Sequence, residues 1–399
     1  MKPRILITMH YMELGGAESA LLGLLQAHDS SQADIDLFLY DHVGELMQYI
    51  PKYVTILPKV EAYSMIERPI SELFKRGYWG IAFGRLMARI FVKRDQKNNR
   101  EGLDDISVYY FIAKYVNPFL PKINPSVDYD LAISFLQPHL YVLKKVRARK
   151  KLAWLHTDYS KVFVSQKEEV VWRQFDFIAA ISEEVGNSFE KRFPRLDYSK
   201  IIPIENILSS KYIRERAMEY EANLPGKGIR LLTIGRYSYP KKLEDIPVLT
   251  ALLQKSFPDL KWYIIGYGNP FEEKKIRDNI VKEGVKDSVV LLGKQTNPYP
   301  YIKECDVYVQ PSRYEGKSIT VREAQILCKP VIVTDYPTAS SQVQDGVDGV
   351  IVPLGIEMCA NAIISFLKDK EKQVKIVNYL LVHDYGNENE INKIYQLAK

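Results

Sequence analysis

Two glutamates eight positions apart, Glu315 and Glu323, bracket the run Glu-Gly-Lys-Ser-Ile-Thr-Val-Arg-Glu. An apolar stretch, Val307-Tyr308-Val309, precedes it and leaves through Gln310-Pro311-Ser312; a helical pattern of Ala324, Ile326 and Leu327 follows and closes near Lys329-Pro330. This order predicts a strand, a loop over Glu315 to Ser318 and a helix opening at its end. The first turn of a helix presents free N–H groups and partial positive charge, so Gly316, Lys317, Ser318 and Ile319 form a segment that favours an anion. The glutamates lie about two helical turns apart, within reach of one ligand. Carboxylates accept hydrogen bonds from hydroxyls, whereas amide N–H groups donate to phosphate. A ligand that carries both kinds of group is a nucleotide-sugar.

Further candidates stand where strands end. Strand Arg230–Ile234 runs into Gly235-Arg236-Tyr237-Ser238-Tyr239-Pro240-Lys241-Lys242. An arginine and a lysine five apart can clamp a diphosphate, the guanidinium by forked bonds and the ammonium as a point charge. Strand Trp262–Ile265 enters Gly266-Tyr267-Gly268, and Val289–Leu292 leads through Gly293 to Lys294 and the segment ending at Tyr301. In the N-terminal half, Ile5–Met9 is followed by His10 to Leu14, then Gly15-Gly16, then a helical run with Ala20, Leu21, Leu24 and Leu25. A glycine pair there lets a ligand approach the backbone at a helix start. The dinucleotide fingerprint G-x-G-x-x-G does not occur at this position. Strand Lys151–Leu155 ends in His156-Thr157-Asp158, and such a strand end points into the crevice of an open α/β sheet. Each feature also has a plain reading: solvated surface charges, a tight turn, a structural histidine.

A chain of 399 residues, 46% hydrophobic, predicts two cores rather than one. Strands alternate with helices in both halves, which gives an α/β class of two parallel, doubly wound domains, 1–206 and 207–385. The net charge of +6 is mild for this length and does not call for nucleic acid. Split at Asn206, the halves carry 28 basic against 25 acidic residues and 27 against 24, so functional charge must be local. Cys305, Cys328 and Cys359 are odd in number and sit in apolar segments, which predicts reduced thiols and a cytoplasmic setting. None has metal-ligand spacing; the N-terminus lacks a leader pattern, and no apolar run reaches the length of a membrane span. From Lys75 to Arg100 stand eight basic residues and one acidic, Asp95. Trp79, Phe83, Leu86, Met87 and Ile90 follow helical spacing, with Arg85, Arg89, Lys93 and Arg94 mostly off that face. Two readings stand side by side: an amphipathic helix lying on an anionic leaflet, or a surface helix with its stripe in the core. Lys144 to Lys151 has six basic residues in eight; it either ends a helix or extends the same patch.

Taken together these motifs resemble the retaining GT-B glycosyltransferases of family 4, glycosyltransferases group 1, of the type that builds bacterial capsule and cell-surface polysaccharide. The resemblance rests on the order glycine loop, strand-end histidine, Gly-Arg…Lys, and paired glutamates after a Pro-Ser strand end. It implies two Rossmann-like domains facing a cleft: an acceptor domain over 1–206, rejoined by a final helix at about 386–399, and a donor domain over 207–385. It implies sugar transfer from a UDP- or GDP-sugar to a saccharide or lipid-linked acceptor, with no cofactor and no metal, at the inner face of the plasma membrane. His156, Arg236, Lys241 and Glu315 are then catalytic. Gly16, Gly235, Arg236, Lys241, Gly266, Gly268, Lys294, Gly316, Lys317, Ser318, Ile319 and Glu323 hold the donor; Gly15, His156 and Asp158 meet the acceptor, unless Asp158 orients the imidazole instead. Two departures stand out. Ile207 replaces the proline that usually follows the hinge asparagine, and Lys242 replaces the glycine or asparagine that usually follows the lysine, which makes Lys242 the fallback for Lys241. Asp128-Tyr129-Asp130 matches the metal motif of the other glycosyltransferase fold, GT-A, but lies directly before a strand and is discounted. Other readings remain: a sugar-nucleotide epimerase or phosphorylase on this fold, or a non-catalytic membrane-associated scaffold that keeps a nucleotide-sugar site.

Overall fold

The computed structural model describes residues 2–99 and 102–399, so Arg100 of the basic segment lies outside the described residues. The chain forms two compact units, Met1–Ile207 with Glu388–Lys399, and Leu208–Asn387. In unit 1 the strands are β1 (Arg4–Met9), β2 (Asp34–Leu39), β3 (Thr55–Ile56), β4 (Asp104–Asp105), β5 (Tyr129–Ser134), β6 (Ala148–Leu155), β7 (Val162–Phe163), β8 (Phe177–Ala180) and β9 (Ile201–Pro203). Seven make one sheet in the order β3-β2-β1-β5-β6-β8-β9, while β4 and β7 pair separately. Every pairing is parallel. Such strands are covered on both faces, which is why they read as continuous apolar runs; Ile5, Leu6 and Ile7 are wholly buried. The strand order reverses direction between β1 and β5, and ligands of open α/β sheets bind outside the carboxyl ends at such a switch.

Helix α1 (Gly16–Ala27) leaves β1, and α2 (Trp79–Asp95) packs on α3 (Ser107–Val116). The approach of α2 to α3 is close because its inner face is small: a Cβ on Gly84 would lie 2.5 Å from the Tyr115 carbonyl oxygen. Helix α4 (Glu183–Arg192) is capped as its sequence predicts, Ser182 Oγ accepting from the Val185 N–H at 3.2 Å. The final helix, Ile391–Ala398, belongs to unit 1 and is tied through Tyr395, whose hydroxyl meets His28 Nδ1 at 2.8 Å and accepts from the Asp29 N–H. Lys144 and Lys145 end the helix Leu140–Lys145, while Arg149 and Lys150 of the same basic run serve the final helix. Arg149 donates to the Ala398 and Lys399 carbonyls, and Lys150 to that of Leu397, so these cations satisfy the last carbonyls of a helix distant in sequence. Asp128 and Asp130 are also structural: Asp128 pairs with Arg147 at 2.7 Å, and Asp130 accepts from the Arg4 N–H.

Unit 2 holds β10 (Arg230–Ile234), β11 (Lys261–Ile265), β12 (Val289–Gly293), β13 (Val307–Gln310), β14 (Val331–Thr334) and β15 (Val350–Val352), all parallel, in the order β12-β11-β10-β13-β14-β15. Its switch falls between β10 and β13. Helix α5 (Ile319–Ile326) follows β13 and buries Val321, Ala324 and Ile326. Among the described residues no helix is long and apolar enough to cross a membrane.

Candidate active site

The loops that leave β10 and β13 carry Arg236 with Lys241 and Glu315 respectively, so the two clusters flank the unit 2 switch. They meet directly. Lys241 Nζ donates to Glu315 Oε1 at 2.7 Å, and Gln310 Nε2 and Ser312 Oγ reach the same oxygen at 3.0 and 2.5 Å. Arg313 locks the loops: its backbone N–H bonds the Pro240 carbonyl, its guanidinium pairs with Glu244 at 2.6 Å, and it stacks over Tyr239. Arg236 is exposed. Lys242 is engaged elsewhere. It occupies the left-handed region at φ 55°, the conformation that glycine or asparagine adopts at least cost, and its Nζ is held by the Leu354 carbonyl and Asp245. Gly235 makes room for Lys241, whose methylenes would lie 3.3 Å from an added Cβ.

The helix start differs from the expectation. The Ser318 N–H is taken by Gln342 Oε1 at 3.0 Å, and Gln342 returns a bond to the Ser318 carbonyl. That leaves Ile319 as the first amide of α5, in a turn whose N–H groups have no intrahelical acceptor. Glu323 is buried, and the Tyr299 hydroxyl donates to it at 2.9 Å. Burial pushes its carboxyl up to about 7, against the hydrogen bond. Gly266 and Gly268 have a reason internal to the protein: a Cβ on Gly266 would lie 2.0 Å from the Gly235 oxygen, and one on Gly268 2.6 Å from that of Tyr237. These glycines let the loops after β10 and β11 pair, Tyr237 N–H to the Tyr267 carbonyl at 2.9 Å. Lys294 is exposed and sits 4.6 Å over the Tyr267 ring; Gly316 and Lys317 are part-exposed in the loop.

In unit 1, Gly15 is extended at φ −168° and precedes α1, and an added Cβ on Gly16 would meet nothing within 4 Å. Backbone strain does not demand Gly15, and packing does not demand Gly16. The glycine that this mouth does require is Gly44, at φ 114°, where a Cβ would collide with the Met12 carbonyl. His156 lies between Phe135 and Trp154, and its Nε2 is buried without a partner among the described residues. Burial holds the ring down at about 4, against a hydrogen bond to the Phe135 backbone, so it is neutral with Nε2 open as an acceptor. Asp158 does not orient it. Its carboxylate accepts from the Ser160 N–H at 2.9 Å and lines a cleft of about 710 Å³ with Glu184, Asn187 and Lys191. Two further histidines stand at this end of the sheet. His10 bonds Glu67 through Nδ1 at 3.0 Å and the Gln137 carbonyl through Nε2; buried His139 bonds Ser134 Oγ at 2.8 Å.

Residues 216–380 match the family described as Glycosyl transferases group 1. A relative is the poly(glycerol-phosphate) alpha-glucosyltransferase of Bacillus subtilis, 30% identical over 173 residues, 42% of this chain and 25% of that protein. An uncharacterized glycosyltransferase of Methanocaldococcus jannaschii is 25% identical over 248 residues, 59% of this chain and 60% of its own. The matches thus span a quarter to three-fifths of these relatives. Among solved structures, Anabaena HepE with UDP-glucose matches at a TM-score of 0.65 and 16% identity, over 99% of this chain and 98% of that one. A mutant of S. aureus TarM crystallised with UDP matches at 0.68 and 13%, over 100% of both. The fold is GT-B.

Within the matched residues 216–380, the structure joins Lys241 to Glu315 and places Gly235 beneath the lysine; it gives Glu323 a separate, part-buried partner, Tyr299. Sequence reasoning missed Arg313, Gln342 and Tyr299, whose types carry no signal of their own. In unit 1 it missed His10, although the rule applied to His156, a polar residue just past a strand, applies equally there. Glu67 sits in an irregular segment that no periodicity marks.

Proposed function

We propose that the protein is a retaining glycosyltransferase that moves a sugar from a UDP- or GDP-sugar to a hydroxyl of a saccharide or lipid-linked acceptor in cell-surface polysaccharide synthesis, without a metal. The observation that carries this reading is the Lys241–Glu315 pair at the unit 2 switch, a cation for a diphosphate touching a carboxylate for sugar hydroxyls. The activities and ligands of similar proteins support it: a poly(glycerol-phosphate) glucosyltransferase in one, UDP-glucose bound in another. Breaking the anomeric C–O bond leaves the electron pair on the β-phosphate oxygen. Arg236, Lys241 and the Ile319 N–H stabilise that charge as it grows. Glu323 holds the ribose hydroxyls, Glu315 accepts from the sugar through Oε2, and the neutral His156 Nε2 accepts from a sugar hydroxyl. No side chain is placed as a nucleophile, so the acceptor oxygen attacks on the face the leaving phosphate vacates and gives its proton to that phosphate. Gly15, Gly16 and Asp158 belong to the acceptor side.

The test is product analysis. Incubated with candidate nucleotide-sugars found by thermal shift, the enzyme is expected to release nucleoside diphosphate only when an acceptor is present, with chelator making no difference. Release without acceptor, an epimerised donor, or dependence on a divalent cation overturns the corresponding part of the reading.

A further inference from the structure

Helix α2 turns its sequence pattern inside out. Its buried residues are Ile81, Ala82, Gly84, Ala88, Val92 and Asp95, whereas the large apolar side chains at its helical spacing face water: Trp79 is 66% exposed, Phe83 59%, Leu86 40% and Ile90 60%. At about 100° per residue these four fall within about 60° of azimuth on the side opposite the buried face. Phe74, 38% exposed, meets Trp79 edge-on at 5.3 Å and extends the patch. Cations frame it. Arg89 and Lys93 run along one flank, Arg94 along the other, and Lys75 and Arg76 stand at its N-terminal end, all exposed. The one acid of α2, Asp95, is buried and paired with Lys167 at 3.0 Å. The inner side of the helix is fixed by Arg85, which donates to the Arg68 carbonyl.

We infer that this face of α2 docks on an anionic lipid bilayer, the helix lying in the plane of the interface. Large apolar side chains enter the acyl boundary, and the flanking cations meet lipid phosphates. Charge complementarity selects this occupant over a second copy of the chain, because a two-fold interface would set Arg89, Lys93 and Arg94 against their own images. The surface stands independently of the reaction proposed above.

The protein carries its own probe. Trp154, Trp172 and Trp262 are buried to within 2%, so a change in tryptophan emission on membrane contact reports Trp79. The full chain is mixed with phosphatidylcholine vesicles with and without phosphatidylglycerol, and followed by flotation and emission. Binding and a blue shift are expected with anionic vesicles alone, reversed by high salt. Replacing Arg89, Lys93 and Arg94 by Gln is expected to weaken binding on the order of 100-fold, and Phe83→Glu with Ile90→Glu to abolish it. These side chains are exposed, so unchanged circular dichroism is expected and the intact protein supplies the result if a variant fails to fold. Absence of binding by the intact protein, equal binding by the triple variant, or a dimer that Phe83→Glu disperses overturns the inference. Donor thermal shifts, read without vesicles, stay unchanged either way.

Discussion

The mouths of the two sheets are built on one topology and finished with opposite chemistry. At the unit 2 switch the charges are already engaged: Glu315 Oε1 takes three donors, Gln342 holds the Ser318 amide, and Gly266 and Gly268 are filled by neighbouring backbone. At the unit 1 end one polar atom is left wanting, although His10 and His139 beside it are bonded. His156 Nε2 has no partner among the described residues, and the space beside Gly16 is empty. A ligand of unit 2 therefore exchanges bonds that the protein already makes, whereas a ligand of unit 1 satisfies an atom that burial has left unpaired. An unpaired buried acceptor costs about 1–3 kcal/mol, which unit 1 recovers only on binding.

The sharpest way to break this contrast is at the cations. Arg236→Ala is expected to lower turnover about 10²–10³-fold with the fold intact, and Lys241→Ala similarly, because each removes a charged donor from the departing phosphate. Steady-state kinetics beside circular dichroism checks it; near-normal turnover by the Arg236 variant rejects the assignment. Lys242→Gly serves as the control. It relieves a left-handed residue and is expected to leave turnover within about twofold.

The glycines give the next largest effect and separate the units. Gly266→Ala places a methyl group 2.0 Å from a backbone oxygen and is expected to destabilise unit 2 by about 3 kcal/mol, read as a fall in Tm. Gly16→Ala meets open space in the first turn of α1 and is expected to stabilise by roughly 0.5 kcal/mol while slowing turnover about tenfold. Equal behaviour of the two would dissolve the distinction between a packing glycine and a ligand glycine.

This contrast also explains what the sequence could show. The parallel sheets were legible because strands buried on both faces read as apolar runs, and so was the placing of Lys241 and Glu315 on loops after strands; their direct pairing was not. Lys241 ranked ahead of Lys242 by resemblance alone, since the left-handed φ of Lys242 is a backbone property without a composition signature. Nor could the purpose of Gly266 be told from that of Gly16, because both are glycines after strands and only the neighbouring atoms differ. The stripe of α2 left two readings open, and the structure decides against the one that puts it in the core. Small residues at Gly84 and Ala88 mark the buried face, where close helix packing needs no bulk, and the larger side chains were left outside. Arg149 and Lys150 found their partners about 250 positions away, beyond any local pattern.

A smaller effect comes from Glu323. Its carboxyl rises from 4.5 to about 7 in the folded protein, so the native state binds the proton more tightly than the unfolded chain. The stability this gives is complete below pH 4.5 and is lost as pH rises through 7. Glu323→Gln is therefore expected to be more stable than the parent by about 1–3 kcal/mol at pH 8 and no different at pH 4, by chemical denaturation. The same variant is expected to bind donor more weakly at pH 8, where the parent carboxylate is ionised and accepts best. A stability gain without a binding loss assigns Glu323 to the core alone.

The smallest effect tests how unit 1 holds its last helix. Tyr395 donates its hydroxyl to His28 Nδ1 and accepts from the Asp29 N–H, two bonds that fasten Ile391–Ala398 to the turn after α1. Burial lowers the His28 ring below 6.5, which keeps it neutral and able to accept. A depressed folded value contributes stability above pH 6.5 that is lost as pH falls, the reverse of Glu323. Tyr395→Phe is expected to cost about 1 kcal/mol at pH 8 and less once the pH falls through the lowered value of His28, because protonated His28 no longer accepts the hydroxyl in the parent either. Hydrogen exchange of the 391–398 amides reads the loss locally. A cost independent of pH would mean that the Asp29 bond alone fastens the helix, and that the acid-sensitive side of this molecule lies elsewhere among the unit 1 histidines.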